Sequence, residues 1–260
     1  MGTKSRLFLI LWVAGMLGVL SFLLVDLEAL FAQFSPEVVG QLPPVTWKLK
    51  LLGLVQPAVL LSLAVLAGVS LAGRIGLSAP FAEALAAGDQ PGPALKSQLK
   101  PGLIGGLLGG AVIVLNWLLW KPFLPAEFVA RSGAINELLP PLTRFLYGGF
   151  TEELLLRWGL MTLLVWLAWR VTQSRQEGPR SLYFAGAIAI SSIVFGLGHL
   201  PFAYALAHST SAALMLYVVV VNTLFGLIAG YLYWKKGLES AMLAHMLAHV
   251  VILSAILLGA

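Results

Sequence analysis

An all-α, polytopic transmembrane helix bundle is the fold class this sequence predicts, and three observations predict it. Of the 260 residues 59% are apolar and only 10% carry a formal charge, against about 25% charged in an average soluble domain. The apolar residues fall in runs of 19 or more, the length that crosses a hydrocarbon core of about 30 Å. Backbone amides in lipid have no water to bond, so each such run must be helical. Sixteen Lys/Arg and eleven Asp/Glu cannot coat a soluble globule of this size, which excludes a soluble protein. The absence of cysteine excludes disulfides and thiol catalysis.

Seven spans follow from the pattern, at 7–25, 51–73, 102–120, 142–166, 182–201, 211–233 and 239–258. The first follows Lys4 and Arg6, as in a signal peptide, but Leu7–Val25 is too long for a signal core and lacks a small-residue cleavage site. It is expected to be retained. The stretch from Ser78 to Pro101 holds four of the fourteen prolines and reads as a cytoplasmic connector with a surface-lying helix near Phe81–Ala87. It divides a two-span front region (1–101) from a five-span core (102–260). Gly102, Gly106 and Gly110 recur every fourth residue in the third span, a spacing that lets a neighbouring helix approach closely. Residues 202–207 are expected to form a short extra helix or re-entrant turn, so the bundle has seven or eight segments around a polar cavity. Seven of the eight tryptophans, Trp12 among them, lie near span ends as interfacial anchors. Asn116 and Asn222 are expected to bond between helices.

The net charge of +5 is distributed over loops and is not a nucleic-acid patch. Ten Lys/Arg, including Arg175, fall on the side of the N-terminus, and five fall opposite: Lys48, Lys50, Lys121, Arg131 and Arg144. That asymmetry predicts a cytoplasmic N-terminus. No internal repeat of the kind found in many secondary transporters is present.

Charged residues inside spans carry the functional signal, because each costs about 2.5–3.5 kcal/mol at mid-membrane. The fourth span contains Glu152, Glu153 and Arg157. Glu153 and Arg157 are four apart and share a helix face, so they are expected to pair. Glu152 is rotated about 100° away and is left as the free carboxylate facing a cavity. Of four histidines, His199 closes the fifth span, and His245 and His249 lie four apart on the seventh. His208, in a short outer loop, has no assigned role.

A carboxylate with several imidazoles can activate water as general base while imidazoles polarise a carbonyl. The same four residues, Glu152, His199, His245 and His249, could instead hold Zn²⁺. A serine elbow and the HExxH zinc motif are both absent. Amide hydrolysis in the membrane is the favoured chemistry, with a proton-coupled carrier and a catalytically silent immunity or scaffold protein as alternatives.

The three elements Glu152-Glu153-x-x-x-Arg157, Phe195-x-x-x-His199 and His245-x-x-x-His249 resemble, in order, the motifs of the CPBP family. These are the CAAX proteases and bacteriocin-processing membrane enzymes, called Abi proteins in bacteria. The resemblance runs from Tyr147 to the C-terminus, about 115 residues. It implies an eight-helix intramembrane endopeptidase similar to the type II CAAX prenyl endopeptidases. In that picture Glu152 activates water, His199 works beside it, and Glu153 and Arg157 support the site. His245 and the residue four later would stabilise the oxyanion. That later residue is Asn in the prenyl-protein branch and His249 here. The imidazole can donate one hydrogen bond as an amide does, yet a third imidazole also suits a metal. A metal-free mechanism with no cofactor is the favoured implication, Zn²⁺ the alternative.

The implied substrate is a hydrophobic or lipidated peptide reached from surrounding membrane lipids, with no oligomeric state readable. The glycine-, alanine- and leucine-rich, cysteine-free composition points to a bacterial inner membrane. One tension remains in the span limits. His245 falls about 10 Å from the inner surface at 1.5 Å per residue, whereas His199 falls near the outer one. A shared site then requires a later start for the fifth helix.

Overall fold

The computed structural model describes residues 1–173, 177–207 and 211–259; Arg175 and His208 lie outside them. Seven helices are long and apolar enough to cross a membrane among these residues. They are α1 (Thr3–Leu24), α2 (Trp47–Arg74), α4 (Gly92–Phe123), α6 (Pro141–Thr172), α7 (Ser181–Ala207), α8 (Ala212–Lys235) and α9 (Leu238–Leu257). Between them lie α3 (Pro80–Ala87) and α5 (Ala126–Leu138). No strand occurs among the described residues. The chain is an all-α integral membrane bundle.

Local chemistry sets the helix ends. Thr46 Oγ1 accepts the Leu49 amide at the start of α2, and Ser211 Oγ accepts the Leu214 amide at the start of α8, each satisfying an otherwise orphaned donor. Helix α3 opens on Pro80 and closes on Gly88 at φ 87°, the usual placement of those two residues.

Most span limits move by a few residues from the sequence expectation, and α4 moves most. It begins at Gly92 and carries Lys96, Lys100 and Pro101 within the helix. Pro93 at the first turn needs no amide partner, and the two lysines stay exposed. The connector therefore shrinks to the turn between α3 and α4. The anticipated eighth segment is the downstream arm of α7, Leu200–Ala207, set off by a break at His199. Asn116 and Asn222 bond back to Val112 O and Val218 O of their own helices, and not between helices. A carbonyl one turn back lies within easy reach of a short amide side chain. Trp12 is likewise no end anchor: its indole donates to Ser62 Oγ at 2.9 Å, inside the α1–α2 contact.

The glycines of α4 seat its neighbours. A Cβ at Gly102, Gly106 or Gly110 would come within 2.7, 2.6 and 2.5 Å of the Cβ atoms of Leu243, Leu247 and Val251 on α9. Backbone and side chain thus meet where any larger residue would separate the helices. The foot of α9 is tied by polar bonds. Leu238 N donates to Ser78 O, Ala82 N to Glu239 Oε1, and Ser240 Oγ to Gln98 Oε1 at 2.7 Å. On the other side, α1 packs against α6, with Thr151 Oγ1 donating to Gly15 O at 2.7 Å. One apolar core is shared by the front and back spans.

Candidate active site

Helix α6 is wound wider than an α-helix over Arg144–Glu152 and again over Leu154–Met161, with bonding of the i→i+5 type. Such π-wound turns are uncommon and recur at functional sites. The sequence gives no sign of them. Within this stretch Gly148 and Gly149 are buried, and Gly148 lies flush against the imidazoles of α9. A Cβ there would meet His249 Nε2 at 2.7 Å and His245 Nε2 at 3.1 Å.

His245 is the centre of the polar cluster. Its Nδ1 lies 2.8 Å from Glu153 Oε1, and its Nε2 lies 3.7 Å from Glu152 Oε2. A carboxylate only accepts, so the Glu153 contact places a proton on Nδ1 and turns Nε2 toward Glu152. Glu153 and Arg157 pair at 3.3 Å, both fully buried, on the face their spacing predicts. Arg157 is further held by Gly226 O at 3.3 Å and by the Phe195 ring, whose centroid lies 5.1 Å from the guanidinium carbon. The two glutamates differ in exposure: the Glu152 side chain is 19% exposed and that of Glu153 is 0%. His249 stacks on His245 with ring centroids 5.1 Å apart.

His199 joins through Phe195. The Phe195 ring stands edge-on to His199 at 4.7 Å and to His245 at 6.0 Å. His199 Nδ1 donates to Phe195 O at 2.8 Å, leaving Nε2 as its free acceptor. The anticipated late start of the fifth helix does not occur, since α7 begins at Ser181. Two other features bring the histidines together. Helix α7 runs on past the break at His199, so this residue is not at the end of the span. Its ring also folds back toward the preceding turn, as helical side chains do.

All six residues singled out by sequence, Glu152, Glu153, Arg157, His199, His245 and His249, therefore gather on α6, α7 and α9. Among the described residues, no three His, Asp or Glu side chains are set to hold a metal ion. Sequence reasoning missed two contributors. Phe195 was visible only as a motif letter. Gly148 had a signal: two adjacent glycines one turn before a buried carboxylate mark a close approach.

A mainly apolar cleft of about 400 Å³ lies between α1, α2 and α6, lined by Phe22, Leu54, Pro57, Tyr147 and Leu155 with Lys50 and Gln56 among others, and by none of the six cluster residues. Tyr147 lies within electrostatic reach of Glu152.

No curated protein and no solved structure matches the chain. Residues 134–251 match the family model described as type II CAAX prenyl endopeptidase Rce1-like. That segment takes in the end of α5 and every residue of the cluster. Residues 134–251, just under half of the chain, are thus similar to the type II CAAX prenyl endopeptidase Rce1-like family.

Proposed function

We propose that this domain hydrolyses a peptide bond of a hydrophobic or lipidated, CAAX-like substrate, with Glu152 as the general base that activates water. The observation that carries this reading is the placement of His245 between two unlike carboxylates. Glu153 is sealed and neutralised by Arg157, whereas Glu152 retains exposure. The partnered carboxylate orients and the open one reacts. His199, with Nδ1 bound to Phe195 O, presents Nε2 as a second acceptor for the same water. His249 donates from Nε2 to the carbonyl oxygen as charge develops on it. His245, whose Nδ1 proton is held by Glu153, does so from Nε2 as the doubly protonated imidazolium, both nitrogens facing Gly148. Glu152 then returns the proton to the leaving amine, which balances the reaction without a metal. The apolar cleft beside Tyr147 suits the hydrophobic part of such a substrate, entering from the lipid. The N-terminus is cytoplasmic and the membrane is the bacterial inner one in this reading, on the charge asymmetry of the loops.

The test is cleavage of hydrophobic and farnesylated peptides by the purified protein in lipid nanodiscs, read by mass spectrometry beside Glu152→Gln. Fragments from the unaltered protein alone support the reading. Equal fragments from both would remove Glu152 from the chemistry. A carrier would instead lose proton-coupled flux in the variant, and a silent scaffold would lose neither.

A further inference from the structure

Two cavities meet at the start of α2, and Lys50 lines both. The first is the mainly apolar cleft between α1, α2 and α6, with Phe22, Leu60 and Leu155 in its wall. The second, of about 600 Å³, lies where α1 ends and α2 begins, and Asp26, Glu28, Thr46 and Trp47 line it. One is apolar and one is polar, and a half-buried lysine joins them. Trp47 is 68% exposed, and Lys48 Nζ lies 5.8 Å from its ring centroid, the setting of an interfacial anchor. The two cavities therefore run from the level of the headgroups into the hydrocarbon.

Along α2 the wall of the cleft changes character in steps. Lys50, Gly53, Pro57 and Leu60 recur at intervals of three and four, so they share one face. Gly53 seats no neighbour. A Cβ there would meet nothing within 4 Å beyond its own helix, unlike the glycines of α4. Glycine weakens a helix interior, and here it widens the cleft. Pro57 has no amide, so the Gly53 carbonyl loses its usual partner one turn on. Gln56 lines the cleft beside it. Between the charged mouth and the apolar floor, the wall offers a carbonyl and a carboxamide.

We infer that the two cavities together bind one phospholipid with a primary ammonium headgroup, of the phosphatidylethanolamine class. Lys50 pairs with the phosphate, Glu28 accepts from the ammonium, and Gln56 donates to an ester carbonyl. One acyl chain lies in the cleft. Charge selects this headgroup, because two carboxylates and one lysine line the polar cavity, complementary to a phosphate followed by a cation. Asp26 Oδ1 is already bound by the Glu28 and Ala29 amides, which leaves Glu28 as the freer carboxylate. An anionic headgroup would set negative charge against both carboxylates, and a choline headgroup has no N–H to donate. This binding goes beyond the hydrolysis proposed above and does not need it. The lipid would have to leave before the apolar part of a substrate entered the cleft.

The experiment is native mass spectrometry of the purified protein with an equimolar mixture of phosphatidylethanolamine, phosphatidylglycerol and phosphatidylcholine of identical chains. The first is expected to be retained about fivefold over each of the others, the factor that one exposed ion pair supplies. Glu28→Gln should erase that preference, and Lys50→Gln should weaken retention of all three. Gly53→Phe, which fills the cleft, should also weaken all three. Equal retention of the three lipids by the unaltered protein overturns the assignment, whichever variants fold. A preference for either of the other two lipids overturns it as well. Undiminished retention by a folded Gly53→Phe protein would remove the acyl chain from the cleft and overturn it too. Peptide cleavage enters none of these readouts, so failure of the endopeptidase reading leaves the assignment standing.

Discussion

Glu153 holds the imidazole of His245 at 2.8 Å across 92 positions of sequence. This one contact couples α6 to α9 and decides which way the imidazole faces. It also separates two neighbouring carboxylates into a structural and a reactive one, and the first prediction follows from that separation.

Glu152→Gln is expected to lower peptide cleavage by about 10²–10⁴-fold, the usual contribution of general base catalysis, while the melting temperature changes little. Glu153→Gln should do the reverse in part. Removing one partner of a buried ion pair costs about 3–5 kcal/mol, so thermal unfolding in detergent should show a large loss. Two variants with the same melting temperature would contradict the division of roles.

Gly148→Ala should abolish cleavage in a protein that still folds. Its methyl group would stand 2.7 Å from His249 Nε2 and 3.1 Å from His245 Nε2, in the space left for the carbonyl. Gly149→Ala meets Met246, a flexible side chain that can move aside, and should cost less activity. Gly133→Ala, with open space around it, is the control. It should leave stability unchanged or raise it by about 0.5–1 kcal/mol through helix propensity. Steady-state kinetics on the three variants checks the order.

Phe195→Leu is expected to lower kcat more than KM. The ring is the surface shared by His199, His245 and Arg157, and none of its roles is to hold substrate. A variant changed mainly in KM would place Phe195 in substrate binding.

Gly68→Ala should destabilise the bundle. A methyl group at this position collides with the indole of Trp158, which is 1% exposed. Overpacking of this kind costs about 1–3 kcal/mol, and a thermal melt of the solubilised protein reads it directly.

The class of fold and the membership of the cluster were legible in the sequence because both rest on cost. A glutamate in a span is expensive, and a 19-residue apolar run has one stable form. The register between helices was not legible. His199 and His245 both reach Phe195 because α7 bends and extends, which depends on the packing of Leu200–Ala207 and leaves no periodic trace. The π-wound turns of α6 were hidden for the same reason, since the residues of Arg144–Glu152 have no intrinsic preference for i→i+5 bonding. Asn116 and Asn222 misled because a polar residue in a span advertises a need for a partner without saying where that partner is.

The seats on α4 have a further consequence. Gly102, Gly106 and Gly110 repeat every four residues, and so do Leu243, Leu247 and Val251, which occupy them. Sliding α9 by four residues, about 6 Å, would put Leu247 on Gly102 and Val251 on Gly106. The apolar contact is thus nearly degenerate, like a screw thread that engages at any turn. What selects one engagement is a set of directional bonds, two at the foot of α9 and one within the contact: Glu239 to Ala82, Ser240 to Gln98, and His245 to Glu153. Apolar packing makes α9 adhere, and a handful of polar atoms decide where it stops.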